Sequence, residues 1–227
     1  MGRYRHEYKY LIPASEECIL MVRAAGVLLR DVHAGPAGSY TIRSLYFDDD
    51  CDTCLHENMA GTDPRSKFRI RYYNNDTQML RLEKKSKCRM MTLKESCEIT
   101  QEECLCLMQG KTPEITPEMP QIKRKLISQM LLRGMKPKVI VTYERVPFVY
   151  PGGNVRVTFD RNITSSAQVH AFLSGDYAQR PILPVGKSVL EVKWDEVLPL
   201  HIKSALDMNR LQWAAFSKYQ MCRVLHL

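Results

Sequence analysis

Charged and apolar side chains alternate at spacing two through nearly every strand-like stretch of this 227-residue chain. Successive strand side chains point to opposite faces, so this period gives each segment one apolar and one charged face. Lys67-Phe68-Arg69-Ile70-Arg71 sets three cations opposite Phe68 and Ile70. Arg81, Glu83, Lys85 and Lys87 share a face, as do Arg156, Thr158 and Asp160, and then Glu191 and Lys193. A solvated face is the ordinary explanation in an antiparallel sheet. Such a face mixes signs, however, and this one is dominated by Lys67, Arg69, Arg71, Arg81, Lys85, Lys87, Arg145 and Arg156. Amphipathic helices are available to cover the apolar faces. With helices outside, the charged faces must line the interior of a closed sheet, and about eight strands leave room there for side chains or one small ligand.

The remaining punctuation fits that plan. Strands are predicted over 4–11, 40–47, 67–73, 79–87, 89–98, 138–149, 155–161 and 189–194. Asn74-Asn75-Asp76 is hairpin chemistry. Ser15 is the expected N-cap of a helix running to about Arg30, and Asp48-Asp49-Asp50 cap a short helix reaching about Ala60. Thr100 with Glu103 has capping-box spacing. A basic helix over 122–133 ends at Gly134, residues 162–186 read as irregular, and the chain is helical from Pro199. No repeat or linker divides it, so the expectation is a single α+β domain over 1–227, with eight mainly antiparallel strands and outer helices.

Several enclosed cations without partners would be costly, so the interior must be wet or hold an anion. Arg presents a planar fork to phosphate oxygens and Lys a point charge. A triphosphate or polyphosphate chain satisfies many of them at once; a single carboxylate does not. Glu83 and Glu191 each lie two residues from a Lys on the same face. They are either salt-bridge partners or ligands of Mg²⁺ or Mn²⁺ bridging phosphates. Phosphoryl transfer needs mainly positioning and charge neutralisation, which such a lining supplies without a covalent nucleophile.

Other chemistries find little support. The formal net charge of +8 favours anionic partners without identifying them. There is no Walker-type loop, dinucleotide fingerprint or kinase motif set. The eight cysteines are expected to be free thiols; Cys51-Asp52-Thr53-Cys54 has zinc or redox spacing, but a zinc site needs a second matching pair and none occurs. Tyr72, Tyr73 and Tyr143 lie beside basic residues, as in nucleic-acid binders, but read as ordinary strand residues. The opening Met1-Gly2-Arg3-Tyr4-Arg5 has no signal-peptide character, and no apolar run spans a bilayer, so a cytoplasmic protein is expected.

Tyr4-Arg5-His6-Glu7-Tyr8-Lys9-Tyr10, Ser44-Leu45-Tyr46-Phe47-Asp48, Phe68-Arg69-Ile70-Arg71-Tyr72-Tyr73 and Leu82-Glu83-Lys84-Lys85 occur in that order. Tyr143-Glu144-Arg145, Val155-Arg156-Val157-Thr158-Phe159-Asp160, Leu190-Glu191-Val192-Lys193 and Ser217-Lys218-Tyr219 follow. The ordered set resembles the catalytic domain of the vacuolar transporter chaperone (VTC) polyphosphate polymerases, in the triphosphate tunnel metalloenzyme superfamily. The resemblance covers nearly the whole chain. It implies an antiparallel eight-stranded β-tunnel that binds ATP phosphates and a growing polyphosphate chain.

Carried over by position, the resemblance implies catalytic roles for Lys9, Arg69, Arg71, Lys85, Arg145, Arg156 and Glu191. It implies cofactor-binding roles for Lys94, Lys193, Lys218 and Tyr143. Glu191 is the implied ligand of Mn²⁺ or Mg²⁺, with Glu83 and Glu7 as further candidates. The implied reaction moves the ATP γ-phosphoryl group onto polyphosphate and releases ADP. Many tunnel enzymes open with Glu-x-Glu-x-Lys; here Arg5 precedes Glu7 and Lys9, which favours the polymerase branch over CYTH-type triphosphatases and leaves a second metal site open. The length leaves no room for an SPX domain or membrane helices, so a free-standing bacterial-type VTC domain is expected. The rival readings are an inorganic or nucleoside triphosphatase, a non-catalytic polyphosphate-binding module, and a nucleic-acid binder, the last disfavoured by a tunnel too narrow for a duplex.

Overall fold

A computed structural model describes residues 4–89 and 91–227. Met1-Gly2-Arg3, and Met90 within the predicted fifth strand, lie outside the described residues. The strands are β1 (His6–Pro13), β2 (Leu29–Arg30), β3 (Tyr40–Asp48), β4 (Arg65–Tyr73), β5 (Asp76–Cys88), β6 (Met91–Ile99), β7 (Lys136–Tyr150), β8 (Val155–Ser166), β9 (Arg180–Pro181) and β10 (Lys187–Trp194). The helices are α1 (Ala14–Val27), α2 (Thr53–Met59), α3 (Gln101–Met108), α4 (Gln121–Arg133), α5 (Leu200–Ala205) and α6 (Lys218–Val224).

Eight strands form one antiparallel path, β1-β10-β8-β7-β3-β4-β5-β6, with β2 and β9 as short additions to β7 and β8. The path curls until its ends meet: Arg5 and Thr92 exchange two backbone hydrogen bonds of 3.0 Å, just before β1 and at the start of β6. That bridge closes the sheet into a tunnel, because the twist of eight strands brings the two edges together.

Apolar side chains on the outer face bury two clusters against the helices. Tyr10, Ile12, Phe148, Phe159, Leu190 and Val192 pack against Leu20 and Ala24 of α1 and Ile202 of α5. Ile42, Phe68, Ile70, Leu82 and Val139 pack with Leu55 of α2, Leu126 of α4 and Tyr219 of α6. Each fully buried side chain of this size contributes about 1.5–3 kcal/mol, so the outward polarity of the apolar face is strongly fixed, and with it the inward polarity of the charged face.

Local signals act largely as the sequence indicates. Asn74 and Asn75, with φ of 48° and 66°, make the two-residue β4–β5 hairpin. Thr100 and Glu103 form a complete capping box, and Gly134 ends α4 at φ 63°. Asp48 and Asp49 carboxylates accept from the N–H groups of Thr53, Cys54 and Leu55 at the start of α2.

Three expectations need correction. The N-cap of α1 is Pro13, not Ser15, because β1 runs on to Pro13 and the Ala14 N–H is taken by Gly186 O at 2.7 Å. Strand β8 continues beyond Arg161 to Ser166, through a bulge at Asn162 (φ 52°). The C-terminal stretch is not continuously helical: residues 206–217 leave α5 and run beside β1, where Ala214 N donates to Lys9 O at 2.9 Å.

Candidate functional site

Strand periodicity delivers the charged side chains to the tunnel interior. Lys67, Arg69 and Arg71 come from β4, Lys85 from β5 and Lys94 from β6. Tyr143 and Arg145 come from β7, Arg156 from β8, Glu191 and Lys193 from β10, and Glu7 and Lys9 from β1. Lys218, the first residue of α6, enters from outside the sheet; its N-cap is Ser217, whose hydroxyl accepts from Gln220 N. All of these side chains line one cavity of about 320 Å³. Every residue predicted for the site is therefore on its wall except Glu83, which is fully buried behind Arg69 and Arg71. A second cavity of about 420 Å³ continues towards α2 and residues 213–217, sharing Glu7, Lys9, Lys67, Lys85, Thr92 and Ser217 with the first.

Five carboxylates hold the cations in place. Asp160 takes Arg145 in a two-point grip, Nε to Oδ1 at 2.6 Å and Nη2 to Oδ2 at 2.8 Å, and Lys218 Nζ lies 2.6 Å from Oδ2. Glu83 Oε2 accepts from Arg69 Nε at 2.8 Å and Nη2 at 2.6 Å, with Arg71 at 3.7 Å; Lys94 donates to Oε1 at 3.3 Å. Glu7 accepts from Lys85 at 2.8 and 2.9 Å and pairs with Lys9 at 3.0 Å. Glu191 pairs closely with Lys193, and with Arg145 at 3.5 Å and Lys9 at 3.6 Å. Arg156 donates to Asp31 and to the Tyr40 hydroxyl, both at 2.8 Å.

The protonation equilibria follow from this packing. Burial opposes ionisation of Glu7, but Lys85 and Lys9 outweigh it and hold its carboxyl well below the usual range. For Glu191 burial is likewise overcome, by Lys193, Lys9 and Arg145. Burial pushes Lys85 down to about 8 in spite of Glu7. Lys67 is driven well below the ordinary lysine value, first by burial and then by repulsion from Lys85 and Lys9. Among the described residues it has no carboxylate partner; it donates to Ser217 Oγ at 3.3 Å and lies 5.0 Å from the Tyr219 ring centre. The tunnel is thus short of negative charge at the junction of its two cavities, the condition an anion would relieve.

The candidate metal ligands differ in fitness. Glu7 and Glu191 are ionised, face the cavity and share Lys9 and Lys193 as neighbours. Among the described residues there is no group of three His, Cys, Asp or Glu side chains that could enclose an ion. Mg²⁺ and similar hard ions are commonly held by one or two carboxylates plus substrate phosphates, and the Glu7–Glu191 pair fits that pattern. Glu83 does not fit: it is fully buried behind Arg69 and Arg71 and does not line the cavity.

Some residues at the site were not selected from the sequence. Lys67 shares the face of Arg69 and Arg71, so period two alone marks it. Asp160 is on the face of Arg156, but its part in holding Arg145 depends on the β7–β8 register that pairs them. Tyr46 accepts from Arg69 at 2.8 Å; no sequence signal separates it from an ordinary strand tyrosine.

A closed antiparallel sheet of eight strands, lined by cations and wrapped by helices, is the architecture of the triphosphate tunnel fold. The chain belongs to the VTC domain family, whose model matches residues 4–226. Its fold is similar to that of a Hippeastrum protein assigned as an adenylyl cyclase and described as having a dominant triphosphatase activity. That pair shares 13% identity over 100% of this chain and 97% of the other, with a TM-score of 0.57. It is also similar to a Bacillus halodurans protein assigned as an adenylate cyclase, at 16% identity over 92% of this chain and 88% of that one, TM-score 0.50. At these identities the likeness is one of fold. No curated protein sequence matches the chain. Among the described residues no helix is long and apolar enough to cross a membrane.

Proposed function

We propose that this protein is a metal-dependent polyphosphate polymerase, transferring the γ-phosphoryl group of ATP to a polyphosphate chain and releasing ADP. The observation that carries the reading is that the cation-lined cavity shares lining residues with a second one beyond Lys67, giving room for a donor and an acceptor. A terminal oxygen of the acceptor chain attacks the γ-phosphorus. The bond to the β–γ bridging oxygen breaks, and the acceptor grows by one phosphate.

Arg69, Arg71, Arg145 and Arg156 orient phosphate oxygens, and Lys9, Lys85, Lys193 and Lys218 neutralise their charge, with Lys94 and Tyr143 at the wall. A divalent ion, Mn²⁺ or Mg²⁺, held by Glu191 with Glu7 would supply further neutralisation at the phosphate oxygens.

Incubation of the purified protein with ATP and Mn²⁺ or Mg²⁺ tests this. ADP and long phosphate polymers are expected. ADP with free phosphate in place of polymer would make the protein a triphosphatase. Tight triphosphate binding with no turnover would make it a polyphosphate-binding module.

A further inference from the structure

A second basic concavity lies outside the tunnel. It is a groove of about 830 Å³ between α4, α2 and the outward faces of β4 and β5. Six cations line it, namely Arg65, Lys84, Lys87, Arg124, Lys125 and Arg133, against one acid, Glu57. Two of the six are already neutralised: Lys125 by Glu95 at 2.8 Å and Arg133 by Asp49 at 2.5 Å. Arg65, Lys84, Lys87 and Arg124 have no carboxylate within salt-bridge distance among the described residues. The Arg124 Nε is moreover buried without a hydrogen-bond partner, an arrangement that is costly unless something accepts from it.

The groove joins the tunnel. Cys54, Arg65, Ser66 and Lys87 line both it and the outer tunnel cavity. Alternation along β5 explains the geometry, since Lys85 and Lys87 point inward while Lys84 and Ser86 point into the groove. One strand therefore presents cations to both compartments, and a flexible polyanion passing the mouth at Arg65 and Lys87 meets the outer set directly.

We propose that this groove is an outer binding site for polyphosphate, holding the part of a long chain that extends beyond the tunnel. The choice of polyphosphate rests on the reading of the tunnel given above, whereas the groove itself is tested by binding alone. A chain with many evenly spaced charges suits unpaired Lys and Arg side chains spread along a groove, because each neutralised contact adds a salt-dependent increment. Lys84 and Arg124 line the groove and neither tunnel cavity, so a tripolyphosphate held in the tunnel does not engage them.

The test compares tripolyphosphate with long-chain polyphosphate, by calorimetry on the full chain at low salt without ATP. The wild type should bind the long chain about ten-fold more tightly, with a steeper salt dependence. Lys84→Met with Arg124→Met should remove that margin and leave tripolyphosphate affinity unchanged. Ser128→Glu, which adds a repelling carboxylate to the same groove, should act alike by an independent route. A margin that survives both variants overturns the proposal. So does single-stranded DNA of equal charge that binds as tightly with the same dependence on Lys84 and Arg124. Failure of the tunnel reading looks different: tripolyphosphate would not bind, while long-chain binding would still depend on Lys84 and Arg124.

Discussion

Arg145 and Asp160 face each other across the β7–β8 ladder and are joined at two points, 2.6 and 2.8 Å, inside the tunnel wall. Lys218 shares the same carboxylate at 2.6 Å, so one fully buried acid fixes a strand cation and a helix cation together. Removing a buried partner strands the opposite charge at a cost of about 3–5 kcal/mol. Asp160→Asn is therefore expected to lower the melting temperature sharply. Saturating tripolyphosphate should restore more stability to the variant than it adds to the wild type, because the ligand replaces the missing negative charge. Calorimetric melts with and without ligand check this, and an unchanged melting temperature would refute the role of Asp160.

Glu191 and Glu83 invite opposite outcomes. Glu191 faces the cavity beside Glu7, and Glu191→Gln is expected to reduce kcat about 10²-fold or more while polyphosphate binding is largely kept. Chelation of the divalent ion should reproduce that pattern in the wild type. Glu83→Gln should instead weaken triphosphate binding and lower stability, since Arg69 and Arg71 lose their anchor, with the metal dependence of the remaining activity unaltered. Steady-state kinetics over a metal titration separates the two, and full turnover by Glu191→Gln would exclude its metal role.

The inward faces of β4 and β5 were legible because period two is unbroken there and neither Phe68, Ile70 nor Leu82 tolerates solvent. On β7 period two by itself is compatible with either Thr142 and Glu144 or Tyr143 and Arg145 facing inward. The structure turns Tyr143 and Arg145 inward, and the ladder register shifts between Thr142 and Glu144. Asn162 sits opposite that shift, and its left-handed conformation makes it the extra residue of a bulge. A positive-φ Asn reads locally as a strand end, which is why β8 runs five residues further than its sequence suggests. Ion-pair partners were least visible. Asp31 and Asp160 reach Arg156 and Arg145 through tertiary register that a single sequence does not contain.

Lys67 couples the tunnel to pH. Its pKa in the folded chain lies well below the value of about 10.4 for a solvated lysine. Between those two values the unfolded chain binds more protons, so this group makes the empty protein more stable as pH rises through that window. A bound polyanion favours the ammonium form and reverses the shift. Triphosphate binding at mildly alkaline pH should accordingly take up protons, and Lys67→Met should take up fewer. Titration calorimetry in buffers of different ionisation enthalpy measures this directly; identical uptake in the two proteins would remove Lys67 from the account.

Exposure ranks the cations that reach phosphate. The side chain of Arg71 is 8% exposed, whereas that of Lys94 is 53% exposed. Both pair with Glu83, at 3.7 and 3.3 Å, so distance to the shared acid does not separate them. Solvent does. A charge half in water is screened by salt over a Debye length of about 10 Å at 0.1 M, and buried charges are screened far less. Lys94→Met is expected to weaken tripolyphosphate binding modestly at low salt and negligibly at high salt. Arg71→Met should weaken it about 100-fold, in line with loss of a charge-assisted, forked contact, and the loss should persist as salt is raised. Comparable losses with matching salt dependence would mean that the anion is held at the tunnel rim and not within it.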